Sequence, residues 1–438
     1  MIRRRGSALG ERAAGEPDNP DFRLSAYDFD LPEALVAQYP AVERSGSRLM
    51  ILRRGEDAPA QAAFADWLRY LPEGCLLVAN NSRVVPARLR GRRPGGGSLE
   101  CLLLTPLPLI EGAPLTREAV PAVFAAAPRG GWREAEAEAL LRPARKIPRG
   151  GLMRFSPDME ARLAEHGPFG RCRILLRWRG DLRALLEEVG EIPLPPYIRR
   201  AERGDTASSS GEERAPDRER YQTVYARADK AGSVAAPTAG LHLTPALRDG
   251  LVRSGREWEE ATLHVGYGTF SPVRCPDIRD HVMHAEYAEL PERTLAAVLR
   301  AKAEGRAVIA VGTTSARILE GARELRPDLF AAAGGREPEK PAELAASRAA
   351  ARAIAGRGND AALPPGGMAF AGWIRAFIHP GRPIGVVDGL ITNFHLPGSS
   401  LLMLAAALAG RERLLRAYRE AVAGGFRFFS YGDAMLIL

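Results

Sequence analysis

The sequence contains only four cysteines among its 438 residues, and they lie far apart. Cys75, Cys101, Cys172 and Cys275 form no Cys-x-x-Cys pair. This spacing argues against a zinc ribbon and against a disulfide framework. We interpret the four thiols as small buried side chains of a protein in a reducing compartment.

Long apolar runs are also missing. The nearest candidate, residues 401–409, is far shorter than the roughly 20 residues that a membrane helix needs. The N-terminal residues include arginines but no following apolar stretch, so they do not resemble a secretory signal. We therefore predict a cytoplasmic protein without membrane contact, with a disordered tail over residues 1–22.

Lysine is scarce: only four of the 61 basic residues are lysines. The net charge of +8 suits an anionic partner such as RNA. A strong arginine bias is also typical of GC-rich genomes, so the excess by itself is weak evidence for phosphate binding. Five arginines lie within eleven residues that contain no acid: Arg83, Arg88, Arg90, Arg92 and Arg93. We predict that this arginine strip contacts RNA, the alternative being a solvated protein face.

The hydrophobic pattern divides the chain into two kinds of structure. Residues 84–178 carry short apolar runs between Gly and Pro clusters, which is typical of a small all-β unit. The flanking segments alternate strands, such as 75–80 and 308–311, with helices, such as 315–325, 402–409 and 412–422. The pattern predicts an α/β fold in which residues 23–83 and 179–438 form a large domain and 84–178 an inserted one. Residues 330–367, rich in Ala, Gly, Pro and charge, are predicted to be a mobile insertion.

Two stretches rich in Gly, Ala and Thr, residues 232–244 and 262–270, each contain a histidine. Small residues let a ligand approach the backbone, and histidine changes charge near neutral pH. The stretches therefore predict a binding cleft in which His242 and His264 transfer protons. The alternative is that each histidine hydrogen-bonds loop backbone and shapes the pocket.

Residues 311–320 read as a strand, a tight polar turn and a helix. The turn would place free backbone N–H groups and the hydroxyls of Thr313 and Thr314 at a helix N-terminus, which is a natural anion site. The alternative is that either threonine only caps the helix. The segment lacks the glycine spacing and the lysine of a Walker A loop, which argues against a nucleoside triphosphate.

Several longer motifs occur in order over about 400 residues. They include YDFDLPEALVAQYP (27–40), NNSRVVPARLRG (80–91), VMHAEY (282–287), VGTTSARILE (311–320), DGLITNFHLPGSSLLML (388–404) and FRFFSYGDAML (426–436). Together with the two histidine stretches, they resemble the S-adenosylmethionine:tRNA ribosyltransferase-isomerase family of queuosine biosynthesis. The resemblance implies a large mixed α/β domain with a small inserted β-barrel domain.

The resemblance also implies the reaction. The ribosyl part of S-adenosylmethionine would be transferred and isomerised onto 7-aminomethyl-7-deazaguanine at the tRNA wobble position. The products would be epoxyqueuosine-tRNA, adenine and methionine. S-adenosylmethionine is then a co-substrate, and we expect no other cofactor and no metal. The partner is tRNA carrying the deazaguanine base, and we expect a monomer.

Such a site needs an acid, a base and a pocket for an extruded base. We predict His242, His264 and Glu286 as catalytic residues. The predicted substrate-binding residues are Thr238, Thr244, Thr269, His284, Thr313, Thr314, Arg317, Asn393, His395, Tyr431 and Asp433. Three positions depart from the family pattern as we read it: Tyr267, Ile374 and Arg375, the last standing where an acid is usual.

Two other functions fit part of the pattern. A divergent paralogue would bind RNA without this chemistry. A metal-dependent hydrolase would use His281, His284 and Glu286, although their spacing differs from that of a zincin helix.

Overall fold

The computed structural model describes residues 19–56, 58–111, 131–200, 215–266, 272–333 and 367–438. The strands are β1 (Arg48–Leu52), β2 (Ala60–Ala63), β3 (Leu76–Asn80), β4 (Arg83–Val84), β5 (Arg88–Arg92), β6 (Ser98–Leu103), β7 (Trp132–Arg142), β8 (Leu152–Ser156), β9 (Met159–His166), β10 (Arg171–Arg179), β11 (Gly190–Glu191), β12 (Ala231–Ser233), β13 (Glu257–His264), β14 (Glu286–Pro291), β15 (Val308–Val311), β16 (Met368–Ile374), β17 (Gly389–Asn393) and β18 (Ala434–Ile437). The α-helices are α1 (Leu107–Ile110), α2 (Leu182–Val189), α3 (Ala215–Arg220), α4 (Pro245–Arg253), α5 (Glu292–Ala303), α6 (Thr313–Leu325), α7 (Ser400–Ala409) and α8 (Arg411–Ala423). In this described part, no helix combines the length and apolar character needed to cross a membrane.

A nine-stranded mixed sheet forms the centre of the large domain within the described residues. Its strand order is β16-β14-β13-β3-β15-β17-β18-β1-β2. The four central strands β13, β3, β15 and β17 are parallel. Ligand sites in such sheets lie beyond the carboxyl ends of parallel strands, so this arrangement already selects one edge for function.

Both faces of the central sheet are buried, which explains the continuous apolar run at residues 75–80. Leu76 and Val78 face a core shared with α5, α6, α7 and α8, whereas Leu77 and Ala79 face a core with Phe64. Alternate residues of a strand point to opposite faces, so a strand covered on both sides needs apolar residues throughout.

The smaller sheet closes into a barrel. The strands β5, β6, β7, β10, β9 and β8 follow each other by antiparallel pairing, and Arg92 of β5 pairs with Arg154 of β8 to complete the ring. The inward side chains form a separate apolar core that includes Leu89, Ile174 and Leu176. A large mixed α/β domain with a small inserted β-barrel is therefore confirmed.

The barrel is joined to the large domain beside the histidine stretches. Strand β4, directly before the barrel, pairs in parallel with β12. The hydroxyls of Ser82 and Ser233 are 3.1 Å apart at this joint. The Val234 N–H then donates to the Val265 carbonyl at 2.9 Å, so the two predicted stretches lie side by side.

Most predicted elements of the large domain lie where the sequence placed them. The predicted strand 308–311 coincides with β15, and the predicted helices match α6, α7 and α8 within two residues. Three cysteines are buried as expected, but Cys275 is only partly buried because it lies in the exposed loop before β14. The domain boundaries themselves stay a prediction.

Two predicted mobile segments fall largely outside the described residues, namely 1–18 of the tail and 334–366 of the insertion. The last residues of the predicted tail are ordered. Pro20–Phe22 forms a 3-10 helix, and the Asp21 carboxylate pairs with Arg411 at 2.6 Å.

The carboxylate of Asp433 connects the C-terminal turn to β1. It accepts hydrogen bonds from the backbone N–H groups of Arg48 (2.9 Å) and Arg427 (2.8 Å), and it pairs with the Arg48 guanidinium at 3.0 Å. Asp433 is buried, whereas the Arg48 side chain is 42% exposed. The carboxylate therefore stabilises the turn rather than facing a ligand.

We expect Asp433→Ala to lower the free energy of unfolding by about 3 kcal/mol, because buried donors lose their acceptor. Urea unfolding measures this. Asp158→Ala is the matched control, since Asp158 pairs with Arg179 on the barrel surface with both side chains nearly half exposed; it should cost less than about 1 kcal/mol. Equal losses in the two variants would contradict the anchoring role.

Candidate functional site

A cleft lies at the carboxyl ends of the neighbouring parallel strands β15 and β17. Most of its lining comes from the following parts of the chain. They are 312–314 after β15, 392–401 at the end of β17, 235–239 after β12, and a pair of aromatic side chains, Tyr197 and Phe429, with Ser430. The position agrees with the edge that the sheet topology selects.

The first wall is the N-terminus of α6. Gly312 has φ +91°, a conformation that favours glycine, and it allows β15 to turn directly into the helix. N–H groups of a first helical turn have no partner within the helix. The Thr314 hydroxyl lines the cleft and is buried without a hydrogen-bond partner among the described residues. This wall can accept an anion.

The second wall contains Asn393, which is held by His242. The Asn393 amide N–H donates to His242 Nε2 at 3.0 Å, and His242 Nδ1 is 2.8 Å from the Ser47 hydroxyl. With its Nε2 accepting, the imidazole is neutral and donates from Nδ1. Burial lowers the pKa of His242 to about 4. His242 is not among the residues that line this cleft, and its contact with the amide orients Asn393.

Asn393 keeps one unsatisfied atom. Its Oδ1 is buried and has no hydrogen-bond partner within the described part of the chain. A buried polar atom of this kind is costly unless a ligand or water pairs with it. Because Asn393 lines the cleft, its Oδ1 is a natural acceptor for a hydroxyl or amine of a bound molecule.

His395 lies in the same wall and is also neutral. Its Nε2 is 2.7 Å from the Thr392 hydroxyl, and its backbone N–H donates to the Tyr418 hydroxyl at 3.0 Å. Burial lowers the pKa of His395 to about 3. Predicted residues that line this cleft are Thr238, Thr313, Thr314, Asn393 and His395.

His264 is buried on the barrel side of the sheet and does not line the cleft. Its ring stacks with that of Tyr287 at a centroid distance of 6.3 Å. Neither ring nitrogen has a hydrogen-bond partner among the described residues, a state that calls for a ligand. Burial, together with the charge of Lys230, lowers the pKa of His264 to about 3.

The close approach of the His264 ring explains why residue 232, in the other histidine stretch, is a glycine. A Cβ on Gly232 would lie 2.9 Å from His264 Nδ1 and 3.1 Å from Cδ of Pro108. Only glycine fits between the imidazole and the barrel without displacing one of them. Thr269 and Tyr267, predicted to flank this histidine, lie outside the described residues.

Glu286 and Arg317 form a buried ion pair, each with a side chain only 2% exposed. Glu286 Oε1 also accepts the backbone N–H of Gly266 at 2.8 Å. Arg317 Nη2 is buried without a hydrogen-bond partner within the described residues. The pair joins β14 and the end of β13 to α6. Within it, Arg317 compensates the negative charge of Glu286, which the sequence predicted to be catalytic.

Four other predicted residues lie away from the cleft. Thr244 caps α4, its hydroxyl accepting the Leu247 N–H at 3.2 Å. Tyr431 donates to Asp217 at 2.8 Å, and Asp433 anchors the C-terminal turn. His284 lies beside the barrel, where its Nδ1 accepts from Arg171 at 3.0 Å. Substrate-binding roles for all four stay predictions, and this geometry does not favour those of Thr244, Tyr431 and Asp433.

An aromatic wall completes the cleft, and Phe429 is the member that the sequence did not single out. The rings of Tyr197 and Phe429 are 4.7 Å apart, and the Tyr197 hydroxyl is 2.7 Å from that of Ser430. Phe429 has φ +70°, which is unusual for a large side chain and marks functional strain in many sites. No sequence pattern reveals that angle, although Tyr197 lies in a short Pro-rich segment with an aromatic residue.

The arginine strip is only partly exposed. Arg90 pairs with Glu191 at 3.2 Å, and Arg88 donates to the Leu194 carbonyl at 3.1 Å. Arg92 donates to the Gly96 carbonyl at 3.0 Å. Contact of the strip with RNA stays a prediction.

The residues proposed for a metal-dependent hydrolase do not converge. His281 packs edge-on against Phe377, His284 contacts Arg171, and Glu286 is paired with Arg317. No group of three or more His, Cys, Asp or Glu side chains in the described ranges is arranged to hold a metal ion.

Comparison with known proteins adds independent information. A family profile described as queuosine biosynthesis protein matches residues 24–437. The chain is 51% identical to the S-adenosylmethionine:tRNA ribosyltransferase-isomerase of Nitratidesulfovibrio vulgaris (strain DP4), over 95% of this chain and 98% of the relative. It is 47% identical to the protein of the same name from Oleidesulfovibrio alaskensis, over 95% and 93% of the two chains. A crystal structure of S-adenosylmethionine tRNA ribosyltransferase from Thermotoga maritima is 28% identical, with a TM-score of 0.43 and coverage of 94% of this chain and all of that one.

The buried neutral histidines predict an acid-sensitive fold. The pKa of His242 is about 4 in the folded state and near 6.5 in an unfolded chain. Between these two pH values the unfolded chain binds more protons than the folded protein does. The contribution of His242 to the free energy of unfolding is therefore fully present above pH 6.5 and falls as the pH drops. The loss reaches about 3 kcal/mol for this group near pH 4.

Urea unfolding between pH 8 and pH 4.5 tests this dependence. We expect His242→Gln to be less stable at pH 8 but to lose about 2 kcal/mol less on acidification. His166→Gln, at an exposed barrel position, is the control and should follow the wild-type curve. An unchanged slope in His242→Gln would contradict the burial of a neutral His242.

Proposed function

This chain belongs to the S-adenosylmethionine:tRNA ribosyltransferase-isomerase family, and we propose that it carries out that reaction. It transfers and isomerises the ribosyl moiety of S-adenosylmethionine onto 7-aminomethyl-7-deazaguanine at the tRNA wobble position. The products are epoxyqueuosine-tRNA, adenine and methionine. The identity of half of all residues with a relative of that name, over nearly the whole of both chains, supports the proposal.

The cleft between β15 and β17 is the proposed site of S-adenosylmethionine. The observation that carries this assignment is a pair of buried oxygen atoms in cleft-lining residues, Thr314 Oγ1 and Asn393 Oδ1, that have no hydrogen-bond partner among the described residues. The N-terminus of α6 suits the carboxylate of the methionine part. Asn393 Oδ1 suits a ribose hydroxyl or the amino group.

The aromatic wall suits the cationic centre of the co-substrate. A sulfonium has no proton to donate, so a protein stabilises it by charge and by aromatic faces rather than by hydrogen bonds. Tyr197 and Phe429 present such faces to the cleft, and aromatic rings attract cations within about 6 Å. The strained backbone of Phe429 keeps its ring in this wall.

The two histidines have different proposed roles. His242 is a positioning residue that acts through Asn393, because it contacts the amide and does not reach the cleft. His264 is the proposed catalytic residue for proton transfer, since neither of its ring nitrogens has a hydrogen-bond partner in the described ranges. As a neutral imidazole, His264 can accept a proton through one ring nitrogen. Glu286 would then hold Arg317 and the end of β13 in place.

The remaining parts of the proposal concern partners and location. S-adenosylmethionine is a co-substrate, and we propose no further cofactor. The macromolecular partner is tRNA carrying 7-aminomethyl-7-deazaguanine. We propose that the protein acts as a monomer in the cytoplasm. A paralogue that binds RNA without turnover is the alternative, and the reaction itself distinguishes the two.

We expect the purified protein to release adenine when it is incubated with S-adenosylmethionine and tRNA carrying the aminomethyl-deazaguanine. Chromatography measures free adenine, and tRNA with an unmodified guanine is the control that should yield none. We expect His264→Gln to reduce the rate at least about hundredfold, the usual contribution of a proton-transfer group. Wild-type protein that binds the tRNA but releases no adenine would favour the alternative.

We expect Thr314→Val to raise the KM for S-adenosylmethionine about tenfold, because one hydrogen bond to a charged group is lost while shape is kept. Initial rates at varied S-adenosylmethionine measure this. Thr244→Val is the matched control, since its hydroxyl caps α4 outside the cleft. It should lower stability by about 1 kcal/mol without changing KM. If Thr314→Val kept the wild-type KM, the N-terminus of α6 would not be part of the S-adenosylmethionine site.

A further inference from the structure

We propose that the tip of the β9–β10 hairpin and the residues flanking β14 and β16 form a docking surface for the tRNA substrate. The surface consists of Phe169 and Arg171 of the barrel with Arg274, His284 and Arg375 of the large domain. This inference rests on the proposed function and names the side chains that hold its RNA partner. It places RNA contact at a surface apart from the predicted arginine strip, and that surface includes His284, a predicted substrate-binding residue.

Phe169 is the first sign of such a surface. Its side chain is 85% exposed at the hairpin tip, and its backbone adopts φ +55°, ψ +29°. Turns of this shape favour glycine or asparagine, and a large aromatic residue is disfavoured there. Exposure of this apolar ring to water and its backbone conformation are both unfavourable. Their combination at one residue points to a contact outside the chain.

Arginines of the large domain meet this hairpin. The Arg274 guanidinium lies over the Phe169 ring at 5.1 Å, and Arg274 itself is exposed. Arg171, two residues after Phe169, donates to His284 Nδ1 at 3.0 Å. The two contacts hold the hairpin tip against the loop that precedes β14.

The charge of the surface is mainly positive. Arg171 shares its guanidinium with the exposed carboxylate of Glu138 at 2.5 Å. Arg375 follows β16 and is exposed, and its charge acts on both Arg171 and His284. With Nδ1 of His284 accepting, its Nε2–H remains as a further donor. Three arginines against one glutamate leave room for a phosphate.

The surface is continuous with His264. In the sheet, His264 is paired with Tyr287, and Tyr287 with Trp373. Arg375 lies two residues beyond Trp373, directly after the end of β16. Neighbouring strands are about 4.8 Å apart, so this row of side chains spans roughly 10 Å from the surface to His264.

The chemistry of the surface selects RNA as its occupant. Arginines track a phosphate backbone, and an exposed aromatic ring stacks an unpaired base, which a single-stranded loop offers. The row of rings from Trp373 to His264 connects this surface to the buried imidazole. A purely structural latch between barrel and large domain would not require an exposed ring in a disfavoured conformation.

The test compares tRNA binding by Phe169→Gly, Arg375→Ala and wild-type protein. We expect Phe169→Gly to weaken tRNA binding about tenfold while thermal stability stays equal or rises, because glycine relieves the backbone strain. We expect Arg375→Ala to weaken binding about fivefold and to reduce the slope of log Kd against log salt concentration by about one. The KM for S-adenosylmethionine should not change in either variant.

Arg179→Ala is the matched control, because Arg179 lies at the other end of β10, roughly 26 Å along the strand, in an exposed ion pair with Asp158. It should bind tRNA as wild type does. Unchanged tRNA affinity in both test variants, or an equal loss in Arg179→Ala, would overturn the inference. The inference would also fail if Phe169→Gly lost stability but kept full tRNA affinity. That result would show that Phe169 only holds the barrel against the large domain. If wild type binds tRNA through this surface but releases no adenine, the proposed function fails and the docking surface stands.

Discussion

The buried ion pair between Glu286 and Arg317 is the constraint on which the functional half of the molecule depends. Burying two charges is costly unless each is well compensated, so the pair strongly penalises any other position of α6 against β14. Its carboxylate also fixes the backbone at Gly266. Through these contacts one interaction sets the helix terminus that forms a wall of the cleft and the strand end that carries His264.

Around this anchor, polar groups fall into satisfied and unsatisfied sets. His242 and His395 are neutral and hydrogen-bonded, and they stiffen the walls from behind. Thr314 Oγ1, Asn393 Oδ1 and the ring nitrogens of His264 are buried and lack partners among the described residues. Since buried polar groups are normally paired, we propose that these atoms of the cleft and of His264 meet substrate atoms. The two locations, one in the cleft and one on the barrel side of the sheet, suit a reaction that joins a small co-substrate to a base of a large RNA.

The barrel contributes to function through its edge rather than its core. Its apolar interior is filled by its own side chains. Its hairpin tip instead brings Phe169 and Arg171 to residues of the large domain. An insertion can supply such a contact because the joint at β4 and β12 holds it beside the segment before Val265.

Sequence alone determined the family, the α/β class, the central strand 308–311 and three of the segments that line the cleft, because these follow from local apolar periodicity and from contiguous motifs. It did not determine which predicted side chains face a ligand. Asp433 and Tyr431 belong to a long matching motif, yet their partners are Arg48 and Asp217, hundreds of residues away in the chain. Only the tertiary structure decided which partners meet at such separations. It also decided the disfavoured backbone angles of Phe429 and Phe169 and the contact of Arg171 with His284. The physical reason is that burial and pairing depend on which distant segments pack together, and no local pattern records that.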